Sequence, residues 1–276
     1  MMKEIFKTIL ILSIFGSGIT AFLLAVKPFT AKHFSAKWQY FIWLFAAACM
    51  IVPLWKVVPS APAREIVAHL PTANEQAEPT GDTPMPAPQP TEQLPDAVLK
   101  TQKCFDLYTV SAYVWFAGAG IFVIAAIVNY IFFLRKINKN SVNIRTCAAL
   151  EEVKSELNIR RKIRVHVTPD VNSPMLTGCV RPVIYLPDNL PPEISEKMIF
   201  RHELTHYHHM DLPVKWASLF VNALHWFNPF AYLLSSNISE SCEIRCDMSV
   251  AECLDEDGKK AYIKTILDTA KRNGGK

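Results

Sequence analysis

Three stretches without a charged side chain constrain this chain more than any other feature. They run from Thr8 to Val26 (19 residues), from Trp38 to Trp55 (18 residues) and from Leu107 to Leu134 (28 residues). A helix needs about 20 apolar residues to cross the hydrocarbon core of a bilayer, and it satisfies its own backbone polar groups there. The stretches therefore predict membrane-spanning helices over 8–26, 38–55 and 106–134. The first is not read as a cleavable signal, because its apolar run is too long and Lys27, Pro28 and Phe29 follow it. Half of the chain is hydrophobic and only 20% is charged, which also fits a membrane protein. Seven cysteines, an odd number without dense spacing, predict no disulfide scaffold. A net charge of +4 gives no reason to expect direct binding of nucleic acid. The stretches carry no buried charge, so transport of an ion or solute is unsupported.

Basic residues orient the helices. Lys27, Lys32 and Lys37 lie between the first two stretches, and Arg135, Lys136, Lys139 and Arg145 follow the third. Both sets belong in the cytoplasm by the positive-inside rule. The expected layout is multi-pass in the cell membrane, with lipid around it and with the N-terminus and the 59–105 loop outside. That loop is proline-rich, with nine of the chain's 19 prolines between Pro59 and Pro95. Such a composition predicts an extended tether without a packed core.

From 135 to 276 the character becomes that of a cytoplasmic domain. "CAALEEVKSELNI" (147–159) has apolar residues at helical spacing, and "KIRVHVT" (162–168) alternates as a strand does. "SPMLTGCV" (173–180) and "RPVIYLP" (181–187) read as short strands whose marginal prolines suit an edge or a strand start. "PPEISEKMIFRHELTHYHH" (191–209) reads as one long helix.

That helix holds the densest chemistry in the chain. Four of the eleven residues in "RHELTHYHHMD" (201–211) are histidines. His202 and His206, four apart, project from one helical face a turn apart, a spacing that suits two ligands of one tetrahedral zinc. A zinc there lowers the pKa of a water to about 7, and Glu203 stands where it can take the proton. H-E-x-x-H on a helix is a metalloprotease signature, although five residues alone are weakly specific. A catalytic zinc needs a third protein ligand. In "SCEIRCDMSV" (241–250), Glu243 can complete the set, and Asp247 can orient a ligating imidazole. Cys242 and Cys246 have the same spacing and are rivals that suit a closed structural site better. His208 and His209 are expected at the surface or at an interface, since a helix does not curl around one ion for three turns. Asp211 either ends the helix or supports the site.

The segment 214–236 lies between the two motifs and contains 19 uncharged residues, Trp216 to Leu234. A single crossing puts Glu243 and His202 on opposite sides of the membrane, where they cannot share a metal. Asn228-Pro229 favours a break. The expectation is a bent, membrane-associated helical pair with both ligand sets on the cytoplasmic side.

Taken in order, "SPMLTG", "RPVIYLP", "RHELTHYHHMD", "HWFNPF" and "CEIRCD" resemble the membrane metallopeptidases of the BlaR/MecR type, the β-lactam sensor-transducers. The resemblance implies an α-helical membrane domain joined to an α+β, gluzincin-like zinc metallopeptidase domain in the cytoplasm. It implies one zinc per chain on His202, His206 and Glu243, with Glu203 as general base. The strand with Ser173, Pro174 and Gly178 is then the edge that pairs with an extended substrate. The implied substrate is a cytoplasmic repressor protein, the chain itself, or both. Sensor members carry an external penicillin-binding domain after a fourth span. No Ser-x-x-Lys occurs in this sequence, so direct β-lactam sensing by these residues is not expected. "GAG" at 118–120 offers a close-packing surface for a homodimer through the third stretch.

Overall fold

The computed structural model describes residues 2–53, 107–144, 147–190 and 195–274. The expected external loop, 59–105, and the prolines expected to open the metal-site helix lie outside the described residues. Helix α1 (Met2–His33) and α2 (Ala36–Ile51) form a hairpin, and the Ser35 hydroxyl caps α2 by accepting from the Trp38 N–H at 3.3 Å. Helix α3 spans Leu107–Lys139. α1 and α3 are long and apolar enough to cross a membrane. α2 has 16 residues and ends before Pro53. At about 24 Å it is shorter than the span expected over 38–55. Ile121 and Phe132 of α3, and Ile14 and Phe22 of α1, stand more than 60% exposed. Nothing among the described residues covers these faces, which have the composition of lipid-facing surface.

Beyond α3 lie β1 (Val142–Ile144), α4 (Ala148–Glu156), β2 (Arg164–Thr168), β3 (Met175–Thr177) and β4 (Val183–Pro187). The strands form one mixed sheet in the order β1-β2-β4-β3. β2 and β4 are parallel, with Val165 beside Ile184, and β3 runs antiparallel to β4, with Leu176 beside Ile184. β3 is thus an edge. β4 is interior and buried along its length, with its prolines confined to its margins. Helix α5 (Glu196–His208) packs with α4 on one sheet face around Leu150, Val153, Val165, Ile184, Phe200 and Leu204. The last turns of α3 cover the other face. Ile137 is buried with Val183 and Tyr185, and the Tyr185 hydroxyl donates to Asn138 Oδ1 at 2.6 Å. The longest apolar helix is therefore built directly into the sheet.

α5 ends at a sharp corner. Met210 takes a left-handed conformation (φ 61°), and α6 (Asp211–Leu224) starts at once in a new direction. The chain turns again at 225–228, and α7 (Pro229–Glu252) returns alongside α6. Asn228 caps α7 by accepting from the Phe230 N–H at 2.9 Å, with Pro229 in the first turn. The tip of this α6–α7 hairpin is held among the three apolar helices. Asn228 Nδ2 donates to Ser13 Oγ (2.7 Å) and Ser17 Oγ (2.8 Å), His225 Nε2 lies 3.0 Å from the Met50 carbonyl, and Trp115 Nε1 donates to the Leu224 carbonyl at 2.9 Å. The α7 residues nearest the tip, such as Leu234 and Ile238, pack with Tyr40, Trp43 and Ala46 of α2. Its far end, Cys246 and Val250, packs with Tyr262 of α8 (Glu256–Gly274).

Candidate metal centre

Because the hairpin turns back, the far half of α7 lies against α5. His202 Nε2 and His206 Nε2 face each other at 3.1 Å. Glu243 Oε2 completes a triangle, 3.7 Å from the first nitrogen and 3.2 Å from the second. Those edges leave a point about 2.0–2.1 Å from all three atoms, the length of zinc–nitrogen and zinc–oxygen bonds. The residues present fit the group that the H-E-x-x-H pattern implies. Lys215 of α6 holds the other carboxylate oxygen, Oε1, at 3.1 Å, so Oε2 stays turned toward the imidazoles.

The far nitrogens are also held. His206 Nδ1 lies 2.7 Å from Oδ2 of Asp211, which is fully buried, and Arg245 Nη2 donates to Oδ1 of the same carboxylate at 2.6 Å. His202 Nδ1 lies 2.8 Å from the Tyr262 hydroxyl, which donates to Asp247 Oδ1 at 2.8 Å; Asp247 itself is 3.3 Å from His202 Nδ1. Placing a proton on each Nδ1 satisfies these acceptors and leaves both Nε2 lone pairs aimed at the shared point.

The surroundings favour positive charge at that point. Burial opposes protonation of His206, yet bonding to Asp211, Cys246 and Glu243 overrides it and raises its pKa to about 11. His202 is shifted the same way against its burial, chiefly by Asp247. Burial works against the charged form of Glu243, but His202 and His206 hold it well below the usual carboxylate range. Glu203 is buried beside these groups, and burial pushes its carboxyl up against the pull of both imidazoles. A buried carboxyl of raised pKa beside a cation site is poised to exchange a proton.

The rival ligands separate. Cys242 is fully buried among the apolar side chains of α2 and α7, and burial, with Asp211, pushes its thiol up to about 12. It is a small apolar residue there. Cys246 is closer: its sulfur is 3.6 Å from His202 Nδ1 and donates to the His202 carbonyl at 3.3 Å. Among the described residues, His202, His206 and Cys246 can present ligand atoms within 4.8 Å of one another. The thiol, however, approaches the Nδ1 side of His202, and Glu243 approaches the Nε2 side shared with His206. His208 is exposed, and His209 caps α5, its carbonyl accepting from Arg245 at 3.2 Å.

The centre opens into a cleft of about 500 Å³. Ser173, Pro174, Met175 and Leu176, at and before edge strand β3, form one wall, and Glu203 lines it as well. Gly178, expected with them, lies outside this cleft. It sits at φ +82° in the β3–β4 turn, where an added Cβ would stand 2.5 Å from the Arg181 carbonyl. Its role here is to make the turn. Sequence reasoning left Asp211 undecided and did not single out Arg245 or Tyr262. Arg245 lies between Glu243 and Asp247 in the same motif, so its position was a usable signal. Tyr262 had none, because only the packing of α8 brings it to His202.

A family model described as BlaR1 peptidase M56 matches residues 7–275. The chain belongs to this M56 peptidase family. Among M56 relatives, the regulatory protein BlaR1 of Bacillus licheniformis is 28% identical over 159 residues, 56% of this chain and 26% of that protein. The methicillin resistance mecR1 proteins of Staphylococcus aureus and Staphylococcus epidermidis are 27% identical over 111 residues, 39% of this chain and 19% of theirs. The chain thus spans about a quarter or less of the length of these relatives. The M56 family match and two helices long enough to cross a bilayer mark a membrane protein, with a mixed sheet and a histidine-rich helix at its candidate centre.

Proposed function

We propose that this chain is a zinc-dependent membrane endopeptidase of a signalling relay. The observation that carries the reading is the convergence of His202 Nε2, His206 Nε2 and Glu243 Oε2, from two helices about 40 residues apart in sequence, beside the buried Glu203. In this reading the two histidines and Glu243 hold one zinc in a gluzincin-like arrangement, and Asp247 and Asp211 orient the imidazoles. Zinc in this setting supplies Lewis acidity, polarising a peptide carbonyl and acidifying water. The Glu203 carboxylate takes a proton from the attacking water and returns it to the nitrogen of the leaving amine. An extended peptide lies in the cleft and pairs its backbone with edge strand β3 next to Ser173 and Pro174, which is recognition by strand addition.

The names of the BlaR1 and mecR1 relatives support a regulatory role in antibiotic resistance. The proposed substrate is a cytoplasmic repressor protein, the chain itself, or both. The proposed topology places the N-terminus and the 59–105 loop outside. The domain from 135 to 276 is then cytoplasmic, and the α6–α7 hairpin enters the membrane without crossing it. Homodimerisation is proposed without Gly118 as a contact. Gly118 packs against the Trp226 ring of the same chain, and an added Cβ there would stand 2.4 Å from it.

A second reading has one observation in its favour. The His202–His206–Cys246 group would make a closed, structural zinc site in a non-catalytic transducer. Zinc content of the detergent-purified protein decides between them. About one zinc per chain, lost in Glu243→Ala and kept in Cys246→Ser, supports the peptidase. The reverse pattern supports the structural site. No zinc in the wild type after reconstitution removes both.

A further inference from the structure

The metal centre is joined to an apolar helix through a chain of contacts that reaches beyond the groups the proposed chemistry uses. Arg245 is buried, and its guanidinium carbon lies 3.7 Å from the centroid of the Tyr40 ring on α2. Nη2 of the same guanidinium donates to Asp211 Oδ1 at 2.6 Å and to the His209 carbonyl at 3.2 Å, and Asp211 Oδ2 is 2.7 Å from His206 Nδ1. Among the described residues, Arg245 Nε has no hydrogen-bond partner. The ring face is therefore a main support for the plane of the guanidinium, and it is 205 positions away in sequence.

We propose that Tyr40 is a positioning residue for the metal centre, acting through Arg245 and Asp211 on His206. This rests on the peptidase reading, since it concerns the ligand orientation that reading needs. The physical argument is one of directed support. A ring face attracts a guanidinium and fixes its plane, most strongly away from water. A fixed guanidinium holds one oxygen of Asp211, which leaves the other aimed at Nδ1. The aimed carboxylate fixes the tautomer and the ring angle of His206. Tyr40 is itself buried between α2 and α7 with Trp43, Ala46, Leu234 and Ile238. A displacement of α2 relative to α7 therefore moves the ring under Arg245 before it disturbs any ligand. The membrane helix and the metal centre share one coordinate, and a stimulus that shifts α2 changes how well His206 is held.

The test is zinc affinity of the detergent-purified 276-residue chain, measured by competition with a chromogenic chelator, together with the visible spectrum of the cobalt-substituted protein. Tyr40→Leu removes the ring and is expected to weaken zinc about tenfold and to shift the cobalt bands. Tyr40→Phe keeps the ring face and is expected to stay within about twofold of wild type. Trp43→Leu removes a comparable ring from the same buried cluster and is also expected to stay within about twofold. Tyr40→Met, which fills similar volume without a π face, carries the same expectation as Leu and replaces it if Leu does not fold. Wild-type affinity and spectrum in Tyr40→Leu or Tyr40→Met overturn the proposal, as does an equal loss in Trp43→Leu. Failure of the underlying reading looks different: the wild type then binds no zinc, or His206→Ala binds it as tightly as the wild type does, and the proposal falls with it.

Discussion

Asp211 accepts from both sides of the site at once: Oδ2 is 2.7 Å from His206 Nδ1 and Oδ1 is 2.6 Å from Arg245 Nη2, with the carboxylate entirely out of solvent. The left-handed Met210 makes this contact, because it turns the chain so that the first residue of α6 points back at the helix it has just left. Asp211→Asn should weaken zinc about 10–100-fold. It should also cost about 3 kcal/mol or more of stability, since Arg245 is left as a buried cation without its counter-charge. Chelator competition and thermal melting read the two effects separately, and a wild-type value in both would mean that Asp211 merely ends a helix.

Glu203→Gln separates chemistry from metal binding. The amide keeps the shape of the side chain but takes no proton. Peptidase activity on a cytoplasmic repressor or on the chain itself should fall at least about 10²-fold, with zinc content unchanged. Full activity in this variant rejects the role assigned to Glu203.

Cobalt substitution distinguishes the third ligand directly. With Glu243 as ligand the cobalt protein should lack a sulfur-to-metal charge-transfer band, and Cys246→Ser should leave the visible spectrum in place. A strong near-ultraviolet band that disappears in Cys246→Ser assigns the thiolate instead.

Metal removal should expose a pH dependence. In the metal-free protein the pKa of His206 is raised to about 11 from an ordinary 6.5. A raised folded-state pKa adds stability that is fully present below about pH 6.5 and is lost as pH climbs toward the folded value. Chelator-treated protein should therefore melt at lower temperature at pH 9 than at pH 6.5. Zinc-loaded protein should lose less over the same interval, because ligation replaces those protons and strengthens as they leave. Equal pH profiles with and without zinc would place the metal elsewhere.

Gly118→Ala should destabilise the packing of α3 on the hairpin by about 1–3 kcal/mol, because its Cβ meets the rigid Trp226 ring at 2.4 Å. Gly120→Ala should be neutral or slightly stabilising, since nothing lies within 4 Å of its added carbon. Melting temperatures of both variants, with the oligomeric state read in parallel, check this. Loss of a dimer in Gly118→Ala without loss of monomer stability would return the glycine to an intermolecular role.

Local chemistry was legible in the sequence where one short period or one turn residue decides the outcome. Alternation in "KIRVHVT" marked β2, the 3.6-residue period put His202 and His206 on one face, and Asn228-Pro229 marked the break between α6 and α7. Absence of charge over Leu107–Leu134 marked α3, but its continuation to Lys139 came from packing on the sheet, where Ile137 is buried despite its basic neighbours. α2 ends earlier than apolar composition predicts, because hydrophobic residues continue past Ile51 while the helix stops before Pro53.

The sequence by itself determined which side chains could bind a metal and how each is spaced along its own helix, because ligand chemistry and helical period are local properties. Only the tertiary structure decided that α7 returns to α5 and that Glu243 rather than Cys242 faces the two Nε2 atoms. It also decided that Asp211, Arg245, Tyr262 and Tyr40 stand behind the ligands. Those contacts join residues between five and more than two hundred positions apart, and no periodicity extends across a chain reversal. They depend on the angle of one left-handed corner at Met210 and on the polar anchoring of one hairpin tip among apolar helices.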